Sequence, residues 1–294
     1  MNNVVNLNPK LFQNKLLITH TDLDGVGCAF IFLKCYPKCR IIYADYHNVD
    51  DIVMDILDED GDEDIMISDL SVGPEVAKIL DRRGKVSLLD HHDTAKWLAD
   101  KYPWAMVDNT RCGTRLVYDL LKHYFHLEDL EWVVDLIEDW DLWGAARGAD
   151  GPSPSAIQFN LLLDFYGRTR FLEKLLMPTH TGQFHFDSEV ADILLRKVEA
   201  YCEETADLME IHSKDGYHVG LFVAEQYKSL VGDYILRHFD LEYVVILDPR
   251  HGRASLRGKG NIHLGELAKK AGGGGHRKAA GFPMSGLKHI LGGN

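Results

Sequence analysis

Two short strings in the first third of the chain, His20-Thr21-Asp22-Leu23-Asp24-Gly25 and Asp90-His91-His92, constrain its fold more than any other feature. Each follows directly on an apolar run that reads as a buried strand, Leu16 to Thr19 and Lys85 to Leu89. Strands of a parallel sheet end along one edge, and the loops leaving that edge gather ligands. The first half keeps this rhythm. Strands are expected at 16–20, 40–44, 65–69, 86–90 and 105–107, with helices at 26–35, 50–57, 75–83 and 113–123, which is the alternation of a parallel α/β sheet.

Carboxylates and imidazoles without a thiolate suit Mn²⁺ or Mg²⁺ better than a structural zinc. Two such loops on one sheet edge can hold a pair of divalent ions about 3.5–4 Å apart, the arrangement used for phosphoester hydrolysis. His20, Asp22 and Asp24 alternate as they leave the strand, so a period of two sends their side chains to one side. An Asx turn with a capping Asp accounts for Asp22 and Asp24 but for neither His20 nor Asp90-His91-His92. Asp69 follows the apolar run Ile65-Met66-Ile67 and alone reads equally well as a turn cap. His91 and His92 are adjacent and point in different directions, so one of them is expected as a direct ligand, with Asp90 orienting an imidazole. Asp93 is a weaker rival for that place. Glu138-Asp139-Trp140-Asp141-Leu142-Trp143, late in an apparent helix, offers two more acids, and helical spacing does not choose between them.

The second half changes character. A helical region spans 130–176, where Trp132, Trp140 and Trp143 are expected to pack rather than stack on bases. Turn-rich breaks fall at 148–154 and 177–182, and a long charged helix over 186–212 reads as a connector. Strands are then expected at 217–224, 243–249, 253–257 and 279–282, with helices at 230–238 and 262–271. The organisation expected is a first domain over 1–182, a linker over 183–215 and a second domain over 216–294. In that second domain Gly272 to Gly275, followed by His276, reads as a backbone-donor loop for a phosphate.

Bulk properties narrow the function. The net charge of −13 argues against a broad nucleic-acid surface, which needs clustered Lys and Arg, but leaves a short polyanion as substrate. The chain is 46% apolar with no run of membrane length, and Met1 to Lys10 lacks the zones of a signal peptide. Five cysteines with no CxxC pair fit reduced thiols in a cytoplasmic protein. No GxxxxGK[ST] string and no GxSxG elbow occurs, which removes a Walker loop and a serine nucleophile of that type.

Asp90-His91-His92, the string from Thr19 to Gly27, and Gly272-Gly273-Gly274-Gly275-His276 continuing to Ala280-Gly281-Phe282 stand in an order that resembles the DHH phosphoesterase superfamily. Thr19 to Gly27 is most similar to the nano-RNase/oligoribonuclease (NrnB-type) branch and to RecJ-like exonucleases. The resemblance implies an α/β fold: an N-terminal parallel-sheet DHH domain with helices on both faces and a smaller C-terminal α/β DHH-associated domain, joined by a helical linker. It implies that His20 and Asp22 bind one metal and Asp24 the other, with Asp69 bridging them. His92 is the expected imidazole ligand of the third motif and Asp141 the acid of the fourth. His91 and Asp90 then take catalytic roles, His91 behind the ligand or donating to the phosphate or leaving oxygen. Arg257, Gly273, Gly274, Gly275 and His276 are the expected substrate contacts; Arg111 to Thr114 lies where the family has a small polar segment of open role. Two divalent ions are the implied cofactor, Mn²⁺ first and Mg²⁺ second. The implied activity is hydrolysis of short single-stranded oligoribonucleotides or dinucleotides to mononucleotides, in the cytoplasm and without a membrane, with a homodimer allowed. The alternatives are a RecJ-like single-strand DNA exonuclease, a hydrolase of cyclic or linear dinucleotides, and a nucleotide 3′-phosphate hydrolase.

Overall fold

In the computed structural model, which describes residues 15–59, 61–177 and 187–292, the first half forms five strands joined by helices. They are β1 (Lys15–Thr19), α1 (Leu23–Cys35), β2 (Arg40–Tyr43), α2 (Val49–Asp58), β3 (Asp64–Ser68), α3 (Pro74–Arg83), β4 (Val86–Asp90), α4 (Lys96–Lys101), β5 (Ala105–Val107) and α5 (Gly113–Leu121). α6 (Glu131–Asp141) and α7 (Pro154–Leu176) follow. The expectations for Met1 to Lys10 and for a boundary at Gly182 lie outside the described residues.

The five strands pair in parallel in the order β2-β1-β3-β4-β5. Period-2 geometry divides their side chains between two faces. Leu16, Ile18, Ile67 and Leu88 meet Val53, Leu80 and Leu98 from α2, α3 and α4 in one buried cluster. Leu17, Met66 and Leu89, at the alternate positions, are equally buried, on the face where α1 and α5 pack. Each such fully buried side chain stabilises the sheet by roughly 1.5–3 kcal/mol. β1 has β2 on one side and β3 on the other, so the connections leaving β1 and β3 part in opposite directions. Crevices that take ligands form at such reversals, outside the carboxyl ends of the strands. The acid and imidazole strings sit at those ends.

The described chain divides into two units at Ala191/Asp192, inside α8 (Ser188–Asp207). The second unit holds β6 (Glu210–Lys214), β7 (Tyr217–Val223), α9 (Lys228–His238), β8 (Tyr243–Asp248), β9 (Arg253–Gly258), α10 (Leu264–Lys270), β10 (Gly274–Gly275), β11 (Ala279–Pro283) and α11 (Leu287–Leu291). Its sheet order is β10-β11-β9-β8-β7-β6, with only β7 and β8 parallel. Val245, Leu256, Phe282 and Ala268 lie in its core. The connector helix ends at Asp207, short of the expected 212, and residues 210–214 are an edge strand paired with β7. That strand carries Glu210, His212 and Lys214 and is largely exposed, so no apolar alternation marked it. Among the described residues no helix is long and apolar enough to cross a membrane.

Candidate metal centre and active site

Asp22 holds two places at once. It is the N-cap of α1, its Oδ1 accepting from the Gly25 N–H at 3.1 Å, while Oδ2 stands 2.8 Å from His20 Nδ1. The capping reading and the ligand reading are therefore compatible. Asp24, in the first turn of α1, is buried, and its carboxylate receives two backbone donors from the start of α5. The Gly113 N–H reaches Oδ2 at 2.6 Å and the Thr114 N–H reaches Oδ1 at 2.7 Å. Thr114 Oγ1 donates to the Asp24 carbonyl at 2.7 Å. This is the work of the segment Arg111 to Thr114, which the sequence left open: a helix N-terminus clamps an anionic side chain. Gly113 is obligatory there, since a Cβ would lie 2.7 Å from Asp69 Cβ and 2.9 Å from Asp24 Oδ2.

Asp69 follows β3 at φ 56°, a left-handed conformation that Asp tolerates better than most residues but that still stores strain of order 1 kcal/mol. The turn aims its carboxylate into the crevice. Its Oδ1 lies 3.2 Å from His91 Nε2 and its Oδ2 lies 3.9 Å from His20 Nδ1. His91 Nε2 is also 3.7 Å from Asp24 Oδ2 and 3.6 Å from Asp141 Oδ2. The imidazole of His91, rather than that of His92, thus sits among the carboxylates. Both nitrogens of His92 are occupied elsewhere, Nδ1 by Asp90 Oδ1 at 2.8 Å and Nε2 by the Tyr46 hydroxyl at 2.9 Å. The geometry exchanges the two histidines relative to the sequence expectation. The reason is Asp90: its Oδ1 also accepts from the His91 and His92 N–H groups, pinning the turn so that the His91 ring points inward. Asp90 is a positioning residue here.

In the fourth motif the structure separates the two acids. Asp139 accepts from Arg147 Nε at 2.6 Å and from the Ser153 N–H at 2.9 Å, whereas Asp141 faces His91. Asp93 turns away to Asn109 and Lys96. Tyr46, absent from the sequence expectations, completes the rim. Its position just after β2 was the available signal.

Two groups of donors can each hold a cation: His20, Asp22 and Asp69 in one, and Asp24, His91 and Asp141 in the other, while Asp90 and His92 join Asp69 and His91 in a third grouping. The charges in them are unbalanced. Burial, with the neighbouring charges of Asp24, Asp22 and Asp141, pushes the Asp69 carboxyl well above the usual carboxylate range. Burial and the charges of Asp24 and Asp22 do the same for Asp141. Oδ2 of Asp69, of Asp90 and of Asp141 is buried without a hydrogen-bond partner. Burial would depress the His20 imidazole, but its bond to Asp22 and the surrounding carboxylates raise it; His91, more deeply enclosed and beside His92, is lowered. Orphaned oxygens and crowded like charges are what divalent cations relieve, and an all-oxygen-and-imidazole set fits hard ions. The site fits metal.

The sequence is 29% identical over 296 residues to the oligoribonuclease NrnB of Bacillus subtilis, covering 92% of this chain and 72% of that protein. It is 24% identical over 326 residues to a 3′,5′-cyclic-nucleotide phosphodiesterase of Helicobacter pylori, with 92% and 93% covered. The fold matches the DHH domain of a member of a ribosomal-protein family with a TM-score of 0.68 at 15% identity, over 95% of this chain and 87% of that one. The fold is that of the DHH domain. RecJ of Thermus thermophilus, crystallised with Mn²⁺, superposes with a TM-score of 0.62 at 14% identity, over 96% of this chain and 52% of that one. No family model matches the sequence. Both of the relatives matched in sequence are named for cleaving phosphodiester bonds.

The DHH-associated signature in the second unit needs a correction. Gly272, at φ 79°, ends α10: its N–H donates to the Lys269 carbonyl at 3.1 Å, and the Gly273 N–H donates to the Ala268 carbonyl at 2.9 Å. That pair of bonds is a Schellman cap. A Cβ on Gly273 would meet the Gly281 carbonyl oxygen at 2.0 Å, so its lack of a side chain serves packing against β11. Gly273 therefore has no N–H to offer a phosphate. Gly274 and Gly275 form β10 and pair with β11, while the His276 side chain is exposed. Arg257, on β9, is largely enclosed, and burial lowers its guanidinium from the ordinary value. It donates to Ser229 Oγ and to the Leu256 carbonyl, both at 2.9 Å, and no carboxylate pairs with it in these bonds.

Proposed function

We propose that this protein is a hydrolase of the DHH superfamily, a two-metal phosphodiesterase that releases mononucleotides from short oligoribonucleotides. The observation that carries the reading is the convergence of Asp22, Asp24, Asp69, Asp141, His20 and His91 on one sheet edge with carboxylate oxygens left unsatisfied. His20 and Asp22 would hold one ion and Asp24, His91 and Asp141 the other, with Asp69 within reach of both groups. Mn²⁺ is the ion this mixture of carboxylate and imidazole favours, with Mg²⁺ next. When bound, the pair supplies Lewis-acid polarisation of a phosphoryl group and acidifies the attacking water.

The chain's own residues do the rest. Thr114 and Gly113 fix Asp24 in place, Asp90 fixes both histidines, and the left-handed turn at Asp69 presents its two oxygens to opposite sides of the crevice. Arg257, enclosed and without a carboxylate, is suited to a substrate phosphate in the bidentate manner of guanidinium groups, with His276 beside the glycine run as a second contact. The relation to an oligoribonuclease over nine-tenths of the chain favours short RNA, and the charge of −13 disfavours a long polyanion. Five free cysteines suit a cytoplasmic setting. The relation to a cyclic-nucleotide phosphodiesterase supports a second reading in which a cyclic phosphodiester is opened at the same centre.

A product time course with end-labelled RNA and DNA of 2 to 20 nucleotides, together with 3′,5′-cyclic nucleotides, in Mn²⁺ tests both. The expected result is mononucleotide release, fastest on RNA of about five nucleotides or fewer. Faster, processive digestion of 20-mers contradicts the oligoribonuclease reading, and preferential opening of cyclic nucleotides replaces it with the second.

A further inference from the structure

Tyr46 stands at the rim of the centre with 54% of its surface exposed, yet it is held at several points. Its hydroxyl bonds His92 Nε2 at 2.9 Å. Its ring centroid lies 4.8 Å from that of His20 at a 42° tilt and 5.5 Å from that of His92 edge-on. The loop beneath is closed by its own bonds: Asn48 Oδ1 accepts from the Asp45 N–H at 2.7 Å, Asp45 Oδ1 accepts from the Tyr46 N–H at 2.9 Å, and the Asp45 carbonyl accepts from Asn48 and Val49. The polar tip is tied back and one side is packed on imidazoles, which leaves an ordered apolar surface facing solvent beside the candidate metal ligands. A large aromatic in such a place loses little further freedom when a flat partner covers it.

We propose that Tyr46 is the stacking platform for the nucleobase adjoining the scissile phosphate. The inference rests on the nucleotide reading above and adds a residue that touches substrate next to the reacting centre. Every base has a π-face, so such a platform tolerates any sequence, as removal of single nucleotides from mixed oligomers requires.

The test is steady-state kinetics of the full chain on a ribodinucleotide and on the two matching dinucleotides that lack one base or the other. Tyr46→Ala is expected to raise KM about 5- to 150-fold on the intact substrate, the range of base–aromatic stacking. Most of that effect should vanish on one of the two abasic compounds. Tyr46→Phe and Tyr46→Trp, which keep a ring, should bring KM back toward the parent value. An unchanged KM in Tyr46→Ala overturns the proposal. So does an equal fall in kcat on all three substrates, the mark of a residue acting only through His92. If the parent chain itself turns over none of the three, the nucleotide reading fails and this inference falls with it.

Discussion

Asp69 enters the crevice in the left-handed backbone region, fully enclosed, with His20 on one side of its carboxylate and His91 on the other. Its carboxyl and that of Asp141 are held well above the ordinary range, and the His20 and His92 imidazoles are raised as well. Groups whose folded pKa is raised contribute stability that is complete below their unfolded values, near 4 for carboxyls and near 6.5 for imidazoles. That contribution is lost as pH rises through the folded values. His91 and Asp22, lowered, work in the opposite sense, but Asp22 acts only below its unfolded value near 4, outside this range, and four raised groups stand against His91. The metal-free chain is therefore expected to melt at progressively lower temperature between pH 5.5 and pH 8 in chelator, and Mn²⁺ should reverse the trend. Thermal melts at fixed ionic strength check this; a Tm that climbs from pH 5.5 to 8 in chelator would refute it.

The start of α5 is the element on which the centre depends most closely. Gly113 and Thr114 give Asp24 both of its backbone donors, and the space for a Cβ at 113 is filled by Asp69 and Asp24. Gly113→Ala should therefore displace one or both carboxylates, costing about 1–3 kcal/mol of stability as overpacking does. It should also weaken Mn²⁺ affinity, which isothermal titration reads separately from the melt; affinity equal to the parent's would show that α5 does not set the ligand geometry. The five N-terminal strands were legible because each is a short apolar run ending in a ligand or a turn. The role of residues 111–114 was not, because the partner of this segment, Asp24, lies some ninety positions earlier and only folding joins them. Which histidine of the third motif turns toward Asp24 and Asp141 was not legible for a related reason: adjacent side chains differ in direction, and the choice depends on the bonds Asp90 makes to the turn. The glycine run misled in another way. A helix cap and a phosphate loop require the same residue, and the hydrogen bonds of Gly272 and Gly273 distinguish them. β6, charged and exposed, left no periodicity to read.

Across the whole molecule, charge is uneven. Residues 248–294 hold nine Lys and Arg against two Asp and Glu, in a chain of net charge −13. Of these cations Arg257 is the most enclosed candidate for a substrate phosphate. With few phosphates neutralised, the salt dependence of KM should be shallow, a log–log slope of about one to two at about 0.7 per phosphate of a single strand. Arg257→Ala should reduce that slope by about 0.7 and raise KM by roughly 10- to 100-fold, as loss of a charge-assisted bond predicts. A slope above four, or no change on removing Arg257, would place the substrate grip elsewhere.

The acid and imidazole cluster at the ends of β1, β3 and β4 is expected to hold two metal ions that Asp69 joins. Titration of the metal-free chain with Mn²⁺, followed by calorimetry and by the electron paramagnetic resonance of free Mn²⁺, counts them directly. Asp69→Asn is the matched variant, since Asn tolerates the left-handed turn and removes only the charge. Two ions per parent chain are expected, at most one in Asp69→Asn, with a fall in phosphodiester hydrolysis on the order of 1,000-fold as several kcal/mol of metal-derived stabilisation leaves. Two tightly held ions and parent-like hydrolysis in Asp69→Asn would contradict this.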